Sequence, residues 1–349
     1  MMKPLIDKLR RDTVLTKEEY MLLINYCDEE DLKYLFKTAR EVREKYYGHD
    51  IYIRGLIEFT NYCKNDCLYC GIRRSCKSAQ RYRLTKDEIL SCCKEGYALG
   101  FRTFVLQGGE DPYFTQDRIV DIIDGIKSLY PDCAVTLSVG EKSYDEYKAY
   151  FDAGADRYLL RHETANNEHY RRLHPSDMSP ENRKRCLYDL KKIGFQTGCG
   201  IMTGSPYQTS ETLAEDLLFM KELAPQMVGI GPFVPAKDTP FADRKGGTLS
   251  LTLLMLALTR LTLPDVLLPA TTALGTIHKM GRELGILAGA NVVMPNLSPV
   301  SVREKYRLYD NKLCTGDEAA ESLAKLKNKL LLTGYEVVTS RGDHIAHKK

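Results

Sequence analysis

Residues 51–70 read IYIRGLIEFTNYCKNDCLYC, an apolar stretch that is followed at once by three closely spaced cysteines. The first part, 51–59, is rich in β-branched and apolar side chains, which predicts a strand. Cys63, Cys67 and Cys70 then lie on the loop that leaves the carboxyl end of this strand. In barrels of parallel strands the carboxyl ends carry the chemistry. This stretch therefore predicts both the beginning of a sheet and the place of a functional site.

The rest of the chain repeats the order of a strand followed by a helix. The further predicted strands are 102–107, 133–138, 157–161, 196–201, 227–231, 266–270 and 290–294, and the predicted helices are 85–98, 117–130, 143–152, 179–192, 209–223, 249–261, 275–287 and 318–332. This alternation predicts an α/β fold, a full (β/α)8 TIM barrel with parallel strands. An open doubly wound sheet is the alternative. Its dinucleotide-binding form loses support because no G-x-G-x-x-G motif follows an early strand.

The amino-terminal part of the chain and its overall composition predict the domain organisation and the cellular compartment. Residues 1–48 are charged, have helical periodicity and end at Gly48, so we expect an N-terminal helical extension there and a barrel domain over 49–349. The 349 residues carry 50 Lys and Arg against 47 Asp and Glu, a net charge of +3. This balance offers no case for binding nucleic acid or a membrane surface. Because the first segment, MMKPLIDKLRRD, lacks an apolar signal core, we expect a cytoplasmic protein.

The eleven cysteines argue against a disulfide framework, because their number is odd and we expect a reducing compartment. Thiolates spaced as in Cys63, Cys67 and Cys70 suit a cubane iron–sulfur cluster in which three irons are bound by the protein and one stays open for a ligand. A non-catalytic structural zinc protein is the alternative. Structural zinc uses four closed ligands, and Cys76 is the nearest candidate for the fourth.

Polar residues also follow several other predicted strands. They are Gly108, Gly109 and Glu110 after the second strand, Thr136 and Ser138 on one face of the third, Arg161 and Glu163 after the fourth, and Thr271 and Thr272 after the seventh. Adjacent glycines let the backbone approach a ligand closely. Charged side chains are costly inside a packed barrel, but at its open mouth they can bind a ribose or a charged substrate. Hydroxyl groups and free N–H groups at the start of a helix favour an anion.

The cysteine spacing, with Tyr69 directly before the third cysteine, resembles the signature of the radical S-adenosylmethionine (SAM) superfamily. The resemblance implies one [4Fe–4S] cluster on the three cysteines, with SAM held at the open iron. It also implies that one-electron reduction cleaves SAM to a 5′-deoxyadenosyl radical, so the cofactor supplies the chemistry and the protein orients it. The turn 108–110 resembles the Gly-Gly-Glu turn that receives the methionine amine in this superfamily.

Five longer segments narrow the resemblance to one family. LQGGEDPYF (106–114), DRYLLRHETAN (156–166), MVGIGPFVPAKDTP (227–240), LPATTALGT (268–276) and GANVVMPNLSP (289–299) resemble, in this order, the HydE family of FeFe-hydrogenase maturases. The likeness runs from about Tyr52 to about Tyr309. It implies a full barrel, and it implies that the radical acts on a cysteine-bound iron carbonyl/cyanide precursor during assembly of the diiron subcluster of the hydrogenase H-cluster.

The family resemblance also implies roles for individual residues and for partners. The expected SAM-binding residues are Tyr69, Gly108, Gly109, Glu110, Ser138, Glu163 and Arg183, and the expected substrate-binding residues are Thr136, Arg161, Thr271, Thr272, Met294 and Tyr306. The implied substrate is a small organometallic or cysteine-derived molecule. The implied partners are other hydrogenase maturases and an electron donor such as ferredoxin or flavodoxin.

Two further expectations concern the alternatives within the superfamily. A radical SAM amino-acid mutase of the methylornithine synthase kind shares the barrel and the cysteine loop, and an acidic side chain facing the substrate would favour it. Some HydE proteins carry an auxiliary iron–sulfur cluster on three cysteines near the carboxyl terminus, but here no cysteine follows Cys314. We therefore expect one [4Fe–4S] cluster and no second cluster.

Overall fold

Strands and helices alternate along the chain in the computed structural model, which describes residues 2–313 and 319–347. The strands of this part are β1 (Asp50–Ile53), β2 (Gly55–Thr60), β3 (Thr103–Gly108), β4 (Ala134–Ser138), β5 (Arg157–Leu159), β6 (Gln196–Thr203), β7 (Met227–Pro232), β8 (Val292–Val293) and β9 (Glu336–Val338). The helices are α1 (Lys3–Asp12), α2 (Lys17–Tyr26), α3 (Glu29–Tyr47), α4 (Lys86–Ala98), α5 (Gln116–Leu129), α6 (Tyr144–Asp152), α7 (Asn167–Leu173), α8 (Pro180–Ile193), α9 (Ser210–Leu223), α10 (Leu249–Thr262), α11 (Thr272–Ile277), α12 (Gly281–Leu287), α13 (Val300–Arg303) and α14 (Ala319–Leu331).

The strands pair in parallel and form two sheets rather than one closed ladder. One sheet has the order β2-β3-β4-β5-β6-β7, and the other has the order β8-β1-β9. Single parallel bridges lie between them, at Met227–Leu267, Pro269–Val292 and Leu56–Asn296. The predicted α/β fold with parallel strands is therefore confirmed, whereas the predicted continuous, closed eight-stranded barrel is not observed.

The interruption falls on the predicted strand 266–270, which makes only isolated bridges. Pro269 lies within it and has no N–H group to donate to a ladder, so a proline at this position weakens regular pairing. The predicted strand 290–294 is correspondingly short, since only Val292 and Val293 form β8. The chain adds β9 instead, which pairs with the free edge of β1 and was not predicted.

Most predicted helices are confirmed to within one or two residues, but the predicted helix 275–287 is wrong. It is divided into α11 and α12. The reason is a close approach: a Cβ atom on Gly281 would lie 2.0 Å from the carbonyl oxygen of Leu274, so the chain folds back on itself there. The short helix α7 was not predicted, and the first predicted residue of the last helix, 318, lies outside the described residues.

Three helices precede the sheets, as the charged amino-terminal periodicity predicts. A capping box of Thr16 and Glu19 begins α2, and Gly48 ends α3 with a φ of 56°. These helices pack on the outer layer of the sheets: the hydroxyl of Tyr20 lies 2.8 Å from that of Thr262 on α10, and both side chains are buried. The domain boundary after residue 48 stays a prediction.

The opposite ends of the strands differ in what covers them. At the amino ends, the carboxyl-terminal segment 339–347 lies across the sheet: Thr103 donates to the carbonyl of Arg341 at 2.7 Å, and Gln196 donates to Asp343 at 2.7 Å. At the carboxyl ends, the loops that follow β2, β3, β4 and β5 face one another, and the predicted site residues lie there. Among the described residues, none of the helices is both long and apolar enough to cross a membrane.

Candidate active site

The loop after β2 carries Cys63, Cys67 and Cys70, and two ionic groups fix its shape. The guanidinium of Arg81 donates to the backbone carbonyls of Ile72 at 2.8 Å and Arg73 at 2.6 Å. The second group is the carboxylate of Asp66, which accepts hydrogen bonds from Arg73 Nε at 2.7 Å and from the N–H of Ser75 at 3.0 Å. The pKa of Asp66 is lowered by the hydrogen bond from Arg73, so this carboxylate stays charged. None of these bonds from Arg81 and to Asp66 uses a cysteine side chain.

The three thiols lie close enough to influence one another. Burial raises the pKa of Cys67 well above its ordinary value, Cys70 and Cys63 raise it further, and Arg183 lowers it. Burial also raises the pKa of Cys70, and the neighbouring Cys63 raises it further. Three half-buried thiolates side by side would repel each other, so a bound cation is needed to hold all three deprotonated. This donor set fits an iron–sulfur cluster.

The loop does not present the compact ligand group of a single metal ion. Within residues 2–313 and 319–347, no three His, Cys, Asp or Glu side chains converge as a mononuclear site requires. In a cubane each thiolate binds a different iron, so the three sulfurs need not share one point. Cys76, the candidate fourth zinc ligand, is buried with its sulfur 3.5 Å from the hydroxyl of Ser78.

The turn of Gly108, Gly109 and Glu110 packs against the cysteine loop. A Cβ atom on Gly109 would lie 2.2 Å from the carbonyl oxygen of Tyr62 and 2.8 Å from the Cβ of Cys63, so only glycine fits there. The N–H of Lys64 donates to the carbonyl of Glu110 at 2.8 Å. The sequence prediction assigned the glycines to a ligand. The structure shows that the close approach at Gly109 is made by the cysteine loop itself.

The carboxylate of Glu110 reaches across to the loop after β4. It accepts from the N–H of Glu141 at 3.1 Å and lies 3.4 Å from the ammonium of Lys64. Gly140, with a φ of 81°, leaves the space for it, because a Cβ there would lie 2.0 Å from the Cγ of Glu110. The residue is buried. Glu110 therefore connects the ends of β2, β3 and β4 around the cysteines.

A row of aromatic and charged side chains extends from the cysteine loop to α8. The hydroxyl of Tyr69 lies 3.2 Å from Nε2 of His174, and the His174 ring stacks on Tyr170 with 3.9 Å between centroids. Arg183 Nε lies 3.4 Å from the Tyr170 hydroxyl and 2.8 Å from Glu141. Burial, followed by Arg183, lowers the pKa of His174 to about 3, so His174 is neutral. Arg183 is thus a buried cation beside the thiols.

Buried polar atoms without partners line the ends of β4 and β5. Thr136 Oγ1, Arg161 Nε and Glu163 Oε2 have no hydrogen-bond partner among the described residues, although Arg161 and Glu163 lie 3.3 Å apart as an ion pair. Glu163 has a φ of 63°, an uncommon conformation for a residue with a side chain. Ser138, half-buried, ends β4 opposite Gln107. Unsatisfied buried polar groups are rare in folded proteins, and here they fit a polar ligand such as SAM.

The predicted substrate residues lie around a different part of the interior. Thr271 caps α11 by accepting from the N–H of Leu274, and Thr272 accepts from Arg282 Nη2 at 3.4 Å. The hydroxyl of Tyr306, a buried residue, accepts from Gln107 Nε2 at 3.3 Å. A small cavity of about 30 Å³ adjoins Thr272 and Met294. We call it the inner cavity; its lining is Leu56, Glu58, Thr272, Arg282, Met294, Pro295, Asn296, Arg303, Lys312 and Leu313.

Four charged residues line the inner cavity, Glu58, Arg282, Arg303 and Lys312, and none of them was predicted. Glu58 on β2 is buried, pairs with the ammonium of Lys312 and accepts from Asn296 Nδ2 at 2.9 Å. Glu58 could have been identified from the sequence, because it is the one carboxylate in the apolar stretch 51–59 and lies on the same strand face as Leu56. Lys312 could not have been identified in this way, since it stands among other charged and polar residues far along the chain.

Comparison with known proteins places these features in a family. A family model described as "Radical SAM superfamily" matches residues 57–220. The chain is 46% identical to the [FeFe] hydrogenase maturase subunit HydE of Thermotoga maritima, over 95% of this chain and 94% of that protein. It is 31% identical to the 3-methylornithine synthase of Methanosarcina acetivorans, over 91% of this chain and 90% of that protein.

Solved structures give the same picture of the fold. The crystal structure of methylornithine synthase superposes with a TM-score of 0.85 at 29% identity, over 96% of this chain and 97% of that chain. The hydrogenase maturase HydG superposes with a TM-score of 0.80 at 22% identity, over 95% of this chain and 74% of that chain. The second likeness concerns the fold alone.

Proposed function

Because this chain belongs to the HydE family of the radical SAM superfamily, we propose that it acts in the maturation of FeFe-hydrogenase. In this proposal it cleaves SAM reductively to a 5′-deoxyadenosyl radical. The radical acts on a cysteine-bound iron carbonyl/cyanide precursor of the diiron subcluster. The observation that carries the proposal is the 46% identity, which extends over 94% of the HydE protein.

Cys63, Cys67 and Cys70 would hold the [4Fe–4S] cluster, and their mutual pKa effects support this assignment. When it is bound, the cluster supplies the electron for SAM cleavage. The protein fixes the loop around it through Arg81 and Asp66. We propose one cluster, because Cys314 is the only cysteine of the carboxyl-terminal region and one thiolate cannot hold a second cluster. Cys314 itself lies outside the described residues.

SAM would lie against the wall formed by Glu163, Ser138 and Arg183. Oε2 of Glu163 pairs with Arg161 but accepts no hydrogen bond among the described residues, so this carboxylate is suited to ribose hydroxyls, and the Arg183 guanidinium is suited to a carboxylate. Tyr69 and the turn 108–110 complete this end, with the turn acting mainly by holding the cysteine loop in place.

The substrate would occupy the interior between Thr136, Arg161 and the inner cavity. Here Thr271, Thr272, Met294 and Tyr306 offer hydroxyls, a thioether and an aromatic edge. A buried interior of this kind keeps water from a reactive radical. Other hydrogenase maturases would exchange the substrate and product, and a ferredoxin or flavodoxin would deliver the electron. The ten described cysteines are all free thiols, which suits the reducing cytoplasm.

Replacement of the resident HydE protein in a strain that makes active FeFe-hydrogenase tests the proposal. We expect this chain to restore hydrogenase activity and its Cys67→Ala variant to fail. If the reconstituted protein cleaves SAM but never restores hydrogenase activity, the maturation function is wrong.

A second candidate function is an amino-acid mutase of the methylornithine synthase kind, and Glu58 is the observation that favours it. This buried carboxylate faces the inner cavity and could pair with a substrate ammonium, but Lys312 already neutralises it. Incubation with the proteinogenic amino acids, followed by mass spectrometry for 3-methylornithine, separates the two functions. Formation of this product would favour the mutase.

A further inference from the structure

An outer cleft of about 410 Å³ lies beside the segment 303–312. It is reached from solvent, because Glu304 and Arg307 are exposed. The charged side chains of its lining are Lys237, Arg303, Arg307 and Lys312, against Glu304 and Asp310. Because Glu58 pairs with Lys312 from the inner side, these four cations face three carboxylates, which leaves a surplus of one positive charge. A cleft with such a surplus attracts small anions.

The outer cleft and the inner cavity share two lining side chains, Arg303 and Lys312. These two side chains therefore lie between the outer cleft and the inner cavity. Lys312 is the more informative of the two, because its side chain turns into the protein although its neighbours Asn311 and Leu313 are exposed. Its own side chain is only 9% exposed, and that of Glu58 is 1% exposed.

The ammonium of Lys312 makes three contacts at this position. It pairs with the carboxylate of Glu58, it donates to the backbone carbonyl of Tyr306 at 3.0 Å, and it lies 4.7 Å from the centre of the Tyr306 ring. Several hydrogen bonds hold the same segment to the protein, among them the bond from Asn61 Nδ2 to the carbonyl of Lys305 at 2.8 Å and the bond from the N–H of Asp310 to the carbonyl of Pro235 at 3.0 Å. The N–H of Gly71 donates to Leu308, and the N–H of Leu313 donates to the hydroxyl of Thr276.

Stability alone does not account for this ion pair. Removing two charges from water costs about as much free energy as their attraction returns, and apolar replacements are often equally stable. A buried pair that joins a surface segment to a strand, and that stands between two cavities, can instead separate and re-form. An anion that approaches Lys312 from the outer cleft competes with Glu58 for the same ammonium.

We propose that Lys312 and Glu58 form a gate that admits a small anionic molecule from the outer cleft to the inner cavity. In this gate the segment 303–313 is the part that moves, and the ion pair between Lys312 and Glu58 holds it closed. The inference deepens the proposed function and rests on it for the identity of the molecule that passes. The gate itself is defined by access, so it can be tested without any maturation assay.

A Met294→Cys reporter in the inner cavity measures access. The holoenzyme is treated anaerobically with a negatively or a positively charged methanethiosulfonate reagent, and peptide mass spectrometry follows modification at residue 294 separately from the native cysteines. We expect the anionic reagent to react faster in the parent. The double change Lys312→Met with Glu58→Gln should raise both rates about tenfold and reduce the preference for the anion. Glu58→Gln alone should raise the preference, because it frees the cation.

Lys305→Met is the matched control, since it removes the same charge from the side of the segment that lines a neighbouring cleft. It should leave modification at residue 294 unchanged. Without the reporter, Lys312→Met should speed hydrogen exchange at the amides of Gly71 and Leu313. Unchanged modification rates in the double variant, or equal acceleration by Lys305→Met, would overturn the gate. Failure to restore hydrogenase activity would bear on the proposed function and not on the gate.

Discussion

Arg183 on α8 and Glu141 after β4 form a buried ion pair, with 2.8 Å between Nε and Oε1. The pair connects a helix to a loop that also bonds Glu110, and through Glu110 it is linked to the cysteine loop. Arg183 in turn lowers the pKa of Cys67. The cation is thus fixed in position by protein groups before any ligand binds. Such fixed charges bind ligands without a cost for reorganisation.

Changes at Arg183 and Glu163 should weaken SAM binding. Arg183→Lys keeps the positive charge but loses the planar guanidinium, and Glu163→Gln removes the carboxylate whose Oε2 accepts no hydrogen bond among the described residues, although it pairs with Arg161. A hydrogen bond to a charged group contributes about 1.5–3 kcal/mol, which corresponds to about tenfold or more in affinity. Equilibrium binding of SAM to the reconstituted protein measures this. The control is Glu141→Gln, which loosens Arg183 and should cost less; parent-like affinity in both site variants would disprove the assignment.

Loss of any one cysteine of the loop should abolish SAM cleavage. Cys63→Ala, Cys67→Ala and Cys70→Ala each remove a thiolate that alanine cannot replace as an iron ligand. The fold should persist, because Arg81 and Asp66 hold the loop. Release of 5′-deoxyadenosine under anaerobic reduction and the thermal midpoint are the two measurements. Cys76→Ser should be active, since that thiol contacts Ser78; undiminished cleavage in a loop variant would remove its cysteine from the site.

The hydroxyls of Thr271 and Thr272 should matter for the substrate and not for SAM. Thr271 also caps α11, so Thr271→Ser, which keeps the cap, is the matched control for Thr271→Val. Thr272→Val removes only the acceptor that faces Arg282. We expect substrate turnover to fall about tenfold, while substrate-free SAM cleavage stays near the parent value. Parallel loss of both activities would indicate general destabilisation.

The sequence predicted the parts of the fold and site that depend on neighbouring residues. The predicted single strand 51–59 is divided into β1 and β2, which belong to different sheets, and the three cysteines follow β2 on one loop. Contacts between distant residues had no local pattern to reveal them. Lys312 and Glu58 are separated by 254 positions, and the chain reversal at Gly281 depends on the approach of Leu274. The pairing of Arg183 with Glu141 was missed for the same reason, although Arg183 itself was named.

The reconstituted protein should contain one cluster. Outside the loop, the described cysteines include the buried Cys92, Cys93, Cys133, Cys186 and Cys199, and burial raises the pKa of each. Such thiols behave as packing residues. Cys314 alone cannot hold a second cluster. We expect about four irons per chain after anaerobic reconstitution. An excess of about two irons that is lost in Cys314→Ala would contradict the single-cluster expectation.

The carboxyl-terminal segment should stabilise the protein through Asp343 in a pH-dependent way. Burial alone would raise the pKa of Asp343, but Arg157, Arg341 and Gln196 outweigh it and lower the pKa to about 2. An unfolded aspartate has a pKa of about 3.9, so the folded state binds the proton more weakly. Its stabilisation is therefore complete above about pH 5 and disappears as the pH falls from about 4 to 2.

Asp343→Asn should consequently reduce the free energy of unfolding by about 2 kcal/mol at pH 7. The difference between parent and variant should shrink as the pH falls to 2, where the carboxyl of Asp343 in the folded protein is about half protonated, and should approach zero below that pH. Denaturant unfolding at a series of pH values measures it. Asp152→Asn is the control, because its exposed pair with Lys148 contributes about 0–1 kcal/mol at any pH. A parent-to-variant difference that does not change between pH 7 and pH 2 would show that the charge of Asp343 contributes nothing to holding the segment across the strand ends.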